Sequence, residues 1–182
     1  MNIELLRTLG KVKKYRQGEF ICVENEEGNC AFLLLSGNVN IMLRSFQDKP
    51  KIVATLSEGT IFGEMSLLEN KPRNASVIAA TEQILVLEIE KTNFLQILKS
   101  EKEIAYNLLK TLLERMESEM ERMYRANIAY VTEFRRNKLY QQIHGLSCEQ
   151  FGTIIEKDTD NALKMLKFLS HSLAEINQQF SC

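Results

Sequence analysis

Beyond Gly18 the apolar residues come in short runs, each closed by glycine, asparagine, aspartate or proline. FICV (20–23) is the first. FLLLSGNVNIMLR (32–44) reads as two short strands around Ser36-Gly37, and SFQDKP (45–50) has the chemistry of a turn. KIVATL (51–56), ASVIAA (75–80) and ILVLEIE (84–90) follow. Runs of this length, rich in Val, Ile, Leu and Phe, predict β-strands. Several of them at near-even spacing predict an antiparallel sandwich or barrel.

Past residue 90 the period changes from two to between three and four. Thr92 is placed to cap a helix through FLQILK. Ser100 and Glu103 have the spacing of a capping box, which predicts a helix opening at Glu101. No glycine or proline then occurs until Gly145, so a long helical stretch is expected, broken at most once near 125–135. Within it Leu109, Leu113, Met116, Met120, Met123, Asn127, Tyr130 and Phe134 recur at spacings of four and three, a heptad seam. Asn127 falls at an a position, where a buried asparagine pair fixes register. A homodimer through helix 105–135 is therefore expected. The competing reading is an amphipathic helix that lies on its own chain. After Gly145 come a short helix near Glu149–Ile155, a turn and N-cap in EKDTDN (156–161), and a last helix over about 161–179. That helix carries Ala162, Leu166, Leu169, Leu173 and Ile176 on one face.

Composition narrows the function. The chain has 182 residues, an apolar share of 45% and a net charge of −1, so there is no global basic field for nucleic acid or membrane. No apolar run approaches a membrane span, and Glu4 and Arg7 interrupt the apolar pattern of the N-terminus. No membrane contact is expected, and the expected compartment is the cytoplasm. Cys22, Cys30, Cys148 and Cys182 lack zinc or redox spacing, and His144 and His171 stand far apart. Free thiols and no metal are expected.

The stretch FGEMSLLENKPRNASV (62–77) carries the candidate chemistry. Gly59 and Gly63 bracket a turn at which the backbone can approach a ligand closely. Glu64–Asn70 can form a short helix, whose first N–H groups suit an anion. Arg73 is planar, always charged, and able to grip two phosphate oxygens. A carboxylate at Glu64 would repel phosphate, so it fits an acceptor for a sugar hydroxyl. A structural Arg73–Glu64 pair across one loop is the other reading of these residues.

These sixteen residues resemble the phosphate-binding cassette of the cyclic nucleotide-binding domain family, F-G-E-x-[AS]-L-[LI]-x(3)-P-R-x-A-[ST]-V. YRQGEFICVENEEG (15–28) resembles that family's opening strand and turn, GNCAFLLLSGNVNI (28–41) its G-x(3)-[FY]-x-[LI]-x-x-G-x-V segment, and ILVLEIEKTNF (84–94) its closing strand and following helix. The resemblance covers about residues 3 to 120. It implies an α+β fold: a catabolite activator protein-like antiparallel β-roll or jelly-roll flanked by helices (1–104), then a long dimerisation helix and C-terminal helical region (105–182). It also implies roles. Glu64 would bind the ribose 2′-hydroxyl and Arg73 the cyclic phosphate. Backbone N–H groups at Gly63, Glu64, Met65 and Ala75 would complete the cradle. Ser66 lies inside the cassette, and Ser76 holds the family's Ser/Thr position. Val53, Leu56 and Phe62 would line the nucleoside pocket, and Ser118, Glu119 and Arg122 are candidates to cap the base. Gln17 departs from the family's usual proline. Asn74 stands where many cGMP-preferring members carry threonine, which favours cAMP over cGMP and leaves the base open.

Residues 137–182 hold four lysines, no arginine and five acidic residues, a poor electrostatic footprint for DNA. No nucleophile, base and orienting group cluster in the sequence, so no enzyme is expected. The expected function is a bacterial cyclic-nucleotide sensor, cAMP or cGMP its regulatory ligand, that signals through its long helix to a dimer or an unidentified protein partner. The alternatives are a ligand-free β-roll scaffold or assembly module, and a degenerate transcription regulator.

Overall fold

The computed structural model describes residues 9–43, 50–124 and 128–180; side chains at 122–130 and 177–180 lie outside it. The chain divides into two compact units between Ile97 and Leu98.

The first unit is a β-roll of two four-stranded antiparallel sheets, ordered β1-β8-β3-β6 and β2-β7-β4-β5. Its strands are β1 (Lys11–Arg16), β2 (Phe20–Cys22), β3 (Cys30–Ser36), β4 (Val39–Leu43), β5 (Lys51–Leu56), β6 (Ile61–Phe62), β7 (Ser76–Ala79) and β8 (Gln83–Glu90). Alternation within the strands builds the core. Cys30, Phe32 and Leu34 of β3 join Ile84 and Val86 of β8, Val39 and Ile41 of β4 and Val77 of β7 in one buried cluster. Ala31, Leu33, Leu87 and Ile89 lie between these positions and are buried as well. Strands β3 and β8 are thus apolar at both phases, as expected of strands covered on both faces. One short helix, α1 (Glu64–Glu69), packs on β3.

The strand positions read from the sequence are found within a residue or two; Arg44 and most of the turn expected at 45–50 lie outside the described residues. Two strands were not anticipated there. β1, KVKKYR, has five exposed positions and one half-buried, so it shows no apolar period, and it is held by pairing along β8 from Lys11↔Glu88 to Arg16↔Gln83. β6 is only two residues long and exists through its pairing with Phe32 and Leu33.

Helix α2 (Lys91–Ser100) contains the division between the units. The second unit continues with α3 (Lys102–Tyr124), α4 (Ile128–Arg135), α5 (Lys138–His144), α6 (Cys148–Lys157) and α7 (Thr159–Phe180). α3, α6 and α7 pack on one another. Thr92 lies inside α2 rather than capping it, and Ser100 ends α2 rather than capping α3. The first bond of α3 runs from the Ala105 N–H to the Glu101 carbonyl. A full capping box forms instead at Ser147 and Gln150, opening α6. The chain also breaks at Asn137, whose side chain accepts from the Leu139 and Tyr140 N–H groups and starts α5.

The heptad positions find partners at home. Leu109, Met116 and Met120 are buried within the second unit, and Phe134 stacks on Phe168 of α7 at 5.6 Å. All five apolar positions foreseen on α7 are buried. Asn127, and the side chains of Met123 and Tyr130, lie outside the described residues. Packing of α3 on α6 and α7 accompanies the burial of Leu109, Met116 and Met120 without a second copy, while Leu113 stays half-buried. Among the described residues, no strand occurs past Glu90, and no helix is long and apolar enough to cross a membrane.

Candidate functional site

The cassette begins where β6 ends. Gly63 takes φ +72°, a left-handed conformation that costs glycine nothing. A Cβ there would also lie 2.7 Å from Arg73 Nη1. The same glycine therefore turns the chain into α1 and lets the arginine come close. Glu64, Met65 and Ser66 form the buried first turn of that helix. The helix ends at Asn70, also left-handed, a residue type that tolerates this conformation.

Arg73 is buried, with only 5% of its surface exposed. Two backbone bonds pin it to the turn after β2: its N–H donates to Glu26 O at 2.8 Å, and its carbonyl accepts from the Asn25 N–H at 2.9 Å. The guanidinium is held as firmly. Nη1 donates to Gly63 O at 2.6 Å and to Ser66 Oγ at 2.8 Å. Nη2 donates to Cys30 O at 2.7 Å and lies 3.3 Å from Cys30 Sγ. Ser66 Oγ in turn donates to Gly63 O at 3.0 Å. The guanidinium carbon lies 5.4 Å from the centre of the Phe32 ring, which stacks on Phe62 at 5.2 Å. A buried cation surrounded by dipoles and a ring face, and fixed from three directions, is preorganised for an anion.

Gly28 closes the other side. A Cβ there would lie 2.1 Å from Ser66 Oγ and 3.0 Å from Arg73 Nε. Burial raises the Cys30 thiol pKa, with Arg73 opposing the rise, and pushes Cys22 up to about 11 against the same opposing charge. Both thiols are protonated near neutral pH.

The structure brings Gly63, Ser66 and Arg73 into one bonded group, with Phe62 stacked behind it. Glu64 is 1% exposed, so a carboxylate is buried in the same helix turn. Met65 is buried, and Asn74 and Ala75 are half-buried in the loop to β7. Ser76 opens β7 and accepts from the Glu24 N–H at 3.0 Å, so its hydroxyl is tied to the turn after β2. Val53 and Leu56 pack in the core of the roll. Ser118 and Glu119 lie on α3 in the second unit, and the side chain of Arg122 is outside the described residues. Sequence reasoning missed Cys30, Gly28, Phe32 and the Asn25–Glu26 clamp as parts of this site. Asn25, a turn residue with φ 69°, gave a local hint. Cys30 gave none, because its partner is 43 residues away.

A second polar cluster lies in the helical unit. Glu117 Oε1 accepts from Tyr140 Oη at 3.0 Å and lies 3.1 Å from His144 Nε2. These residues line a surface cavity of about 480 Å³ with Glu121, Arg135 and Gln141. Burial, with the Glu117 hydrogen bond, pushes the Tyr140 phenol up to about 12.

Comparison with known proteins decides the family. The model of the cyclic nucleotide-binding domain matches residues 12–101, which include both sheets and the Arg73 site. The chain belongs to the cyclic nucleotide-binding domain family. Human cGMP-dependent protein kinase 2 is 33% identical over 87 residues, which are 47% of this chain and 11% of that protein. The cyclic AMP receptor protein of Thermus thermophilus is 28% identical over 114 residues, 63% of this chain and 52% of that one. The chain thus spans about a tenth of the kinase and about half of the receptor protein. A transcriptional regulator from Thermotoga maritima has the same fold, with a TM-score of 0.60 at 23% identity over 70% of this chain and 99% of that one.

Proposed function

We propose that this chain is a regulatory cyclic-nucleotide sensor that binds cAMP or cGMP at the Arg73 site. The observation that carries this reading is the buried guanidinium, braced at both Nη atoms, beside a buried glutamate in the cassette turn. A buried charge is costly to keep, and its bracing by neutral dipoles leaves its charge available to an anionic ligand. Arg73 would meet the cyclic phosphate and Glu64 the ribose 2′-hydroxyl. Backbone N–H groups at Gly63, Glu64, Met65 and Ala75 would complete the cradle. Asn74 after the arginine favours cAMP.

Ligand occupancy would be passed through α2 to the helical unit and from there to a protein partner. A ligand shifts such an equilibrium only by binding one state better than the other. Packing of the α3 seam against α7 supports a helical unit that responds within one chain, ahead of a homodimer through 105–135. No catalytic step is proposed for the chain.

Calorimetric titration of ligand-stripped protein with cAMP and cGMP tests the reading. Saturable binding of one of them is expected. Arg73→Ala should weaken it by about a hundredfold or more, since it removes charge-assisted hydrogen bonds worth about 1.5–3 kcal/mol each. No binding of either nucleotide to the wild-type chain would replace this reading with the ligand-free scaffold.

A further inference from the structure

The four guanidinium contacts of Arg73 are unequal. Gly63 O, Ser66 Oγ and Cys30 O are oxygen acceptors at 2.6–2.8 Å. The fourth is a thiol sulfur at 3.3 Å, and sulfur is a weak acceptor. Nε has no acceptor among the described residues, yet no buried side-chain nitrogen or oxygen there lacks a partner. Nε–H therefore reaches solvent, beside Gly28, where the absence of a side chain keeps the approach open. An anion coming to this arginine finds three N–H groups committed to oxygen, one free at Nε, and one held only by sulfur. A bidentate grip on phosphate needs two N–H groups.

We propose that Cys30 is a positioning residue that holds Arg73 releasably: its thiol takes the Nη2–H that a phosphate oxygen claims on binding. The Cys30 carbonyl keeps the other Nη2–H throughout, so the guanidinium stays in place while one donor changes partner. A thiol suits this task because it fills the space and aims the donor, yet gives it up cheaply. A hydroxyl would compete with the phosphate, and a methyl would leave the donor free. The burial of Cys30, at 8% exposure, keeps water from taking the thiol's place. This inference deepens the proposed function and rests on it for the identity of the ligand.

The test compares Cys30→Ser and Cys30→Ala with wild type in the full chain. Serine is nearly isosteric and should weaken cyclic-nucleotide binding by about threefold to fivefold, roughly the worth of one ordinary hydrogen bond. Alanine should leave binding as tight or tighten it by about threefold. Adenosine and guanosine, which lack the phosphate, should respond to neither change. Equal shifts in the same direction for both variants, or equal shifts for nucleoside and cyclic nucleotide, would make Cys30 a packing residue and overturn the proposal. A second readout needs no ligand. Guanidinium nitrogen NMR of Arg73 should show Nη2 rotation fastest in Cys30→Ala and slowest in Cys30→Ser, and equal rates in all three would also overturn it. If wild type binds no cyclic nucleotide, the proposed function fails, while the hold of Cys30 on Arg73 is still decided by these rates.

Discussion

The two units bury their polar side chains differently. In the β-roll, Glu64, Ser66, Arg73 and Ser76 are all buried and follow closely on Gly63, the glycine that starts α1; Arg73 and Ser76 are bonded to backbone from the turn after β2 or from β3, and Ser66 to Arg73 and Gly63 O. In the helical unit, the polar side chains buried to this degree are Ser170 and Ser172 among the described residues, and the ionisable cluster of Glu117 and His144 stays at the surface. The helical core is otherwise aliphatic, methionine and aromatic, as packing alone would make it. Burying a charge costs stability unless it is bonded from several sides. The β-roll carries that cost, and the helical unit does not. On the proposed reading, the β-roll is the unit with a site to maintain, and the helices are the unit that would respond through packing.

Three measurements would break or sharpen this contrast. The largest effect is expected in the helices. Leu169 is fully buried on α7, so Leu169→Ala should cost about 2–5 kcal/mol in urea unfolding. The nucleotide affinity of the folded protein should stay as in wild type; a parallel fall would show that the site depends on the helical core. Next comes the alkaline limb of stability. Cys22 ionises near 9.0 when unfolded and is pushed up to about 11 in the fold, so the unfolded state loses its proton first. Its contribution is present below pH 9 and is lost as pH rises towards 11, about 3 kcal/mol in all. Cys22→Ala, compared with wild type across that window by chemical denaturation, should flatten the decline; an unchanged slope would place its cause elsewhere. The smallest effect concerns Glu64. Glu64→Gln should weaken cyclic-nucleotide binding by about tenfold and affect a 2′-deoxy ligand much less, the difference being one hydrogen bond to a charged group. Equal losses for both ligands would remove Glu64 from the sugar and leave it a structural carboxylate.

Elements marked by short apolar runs or by recurring apolar positions were legible in the sequence, because that signal is local. β3, β4, β5 and β8 were visible as such runs, and the buried face of α7 from Ala162 to Ile176 by its recurrence. The cassette was legible too, since Gly63, Glu64, Ser66 and Arg73 lie within one turn and one loop. β1 was not, because its exposed residues carry no apolar period and only β8 makes it a strand. The start of α3 was found within a residue but its cap was misassigned, because a capping box at Ser100 is a local preference, and α2 consumes that serine. The seam of α3 was correctly seen as apolar, but periodicity does not say what covers it.

By itself, then, the sequence determined the α+β class, the apolar faces and the short segment that bears the arginine, since each depends on residues close together in the chain. Tertiary structure decided that α6 and α7 pack on α3, that the turn at Asn25–Glu26 clamps the Arg73 backbone, and that Cys30 holds its guanidinium. Those three results depend on contacts between residues far apart in sequence. Local preference carries no information about such contacts until the sheets and helices have closed.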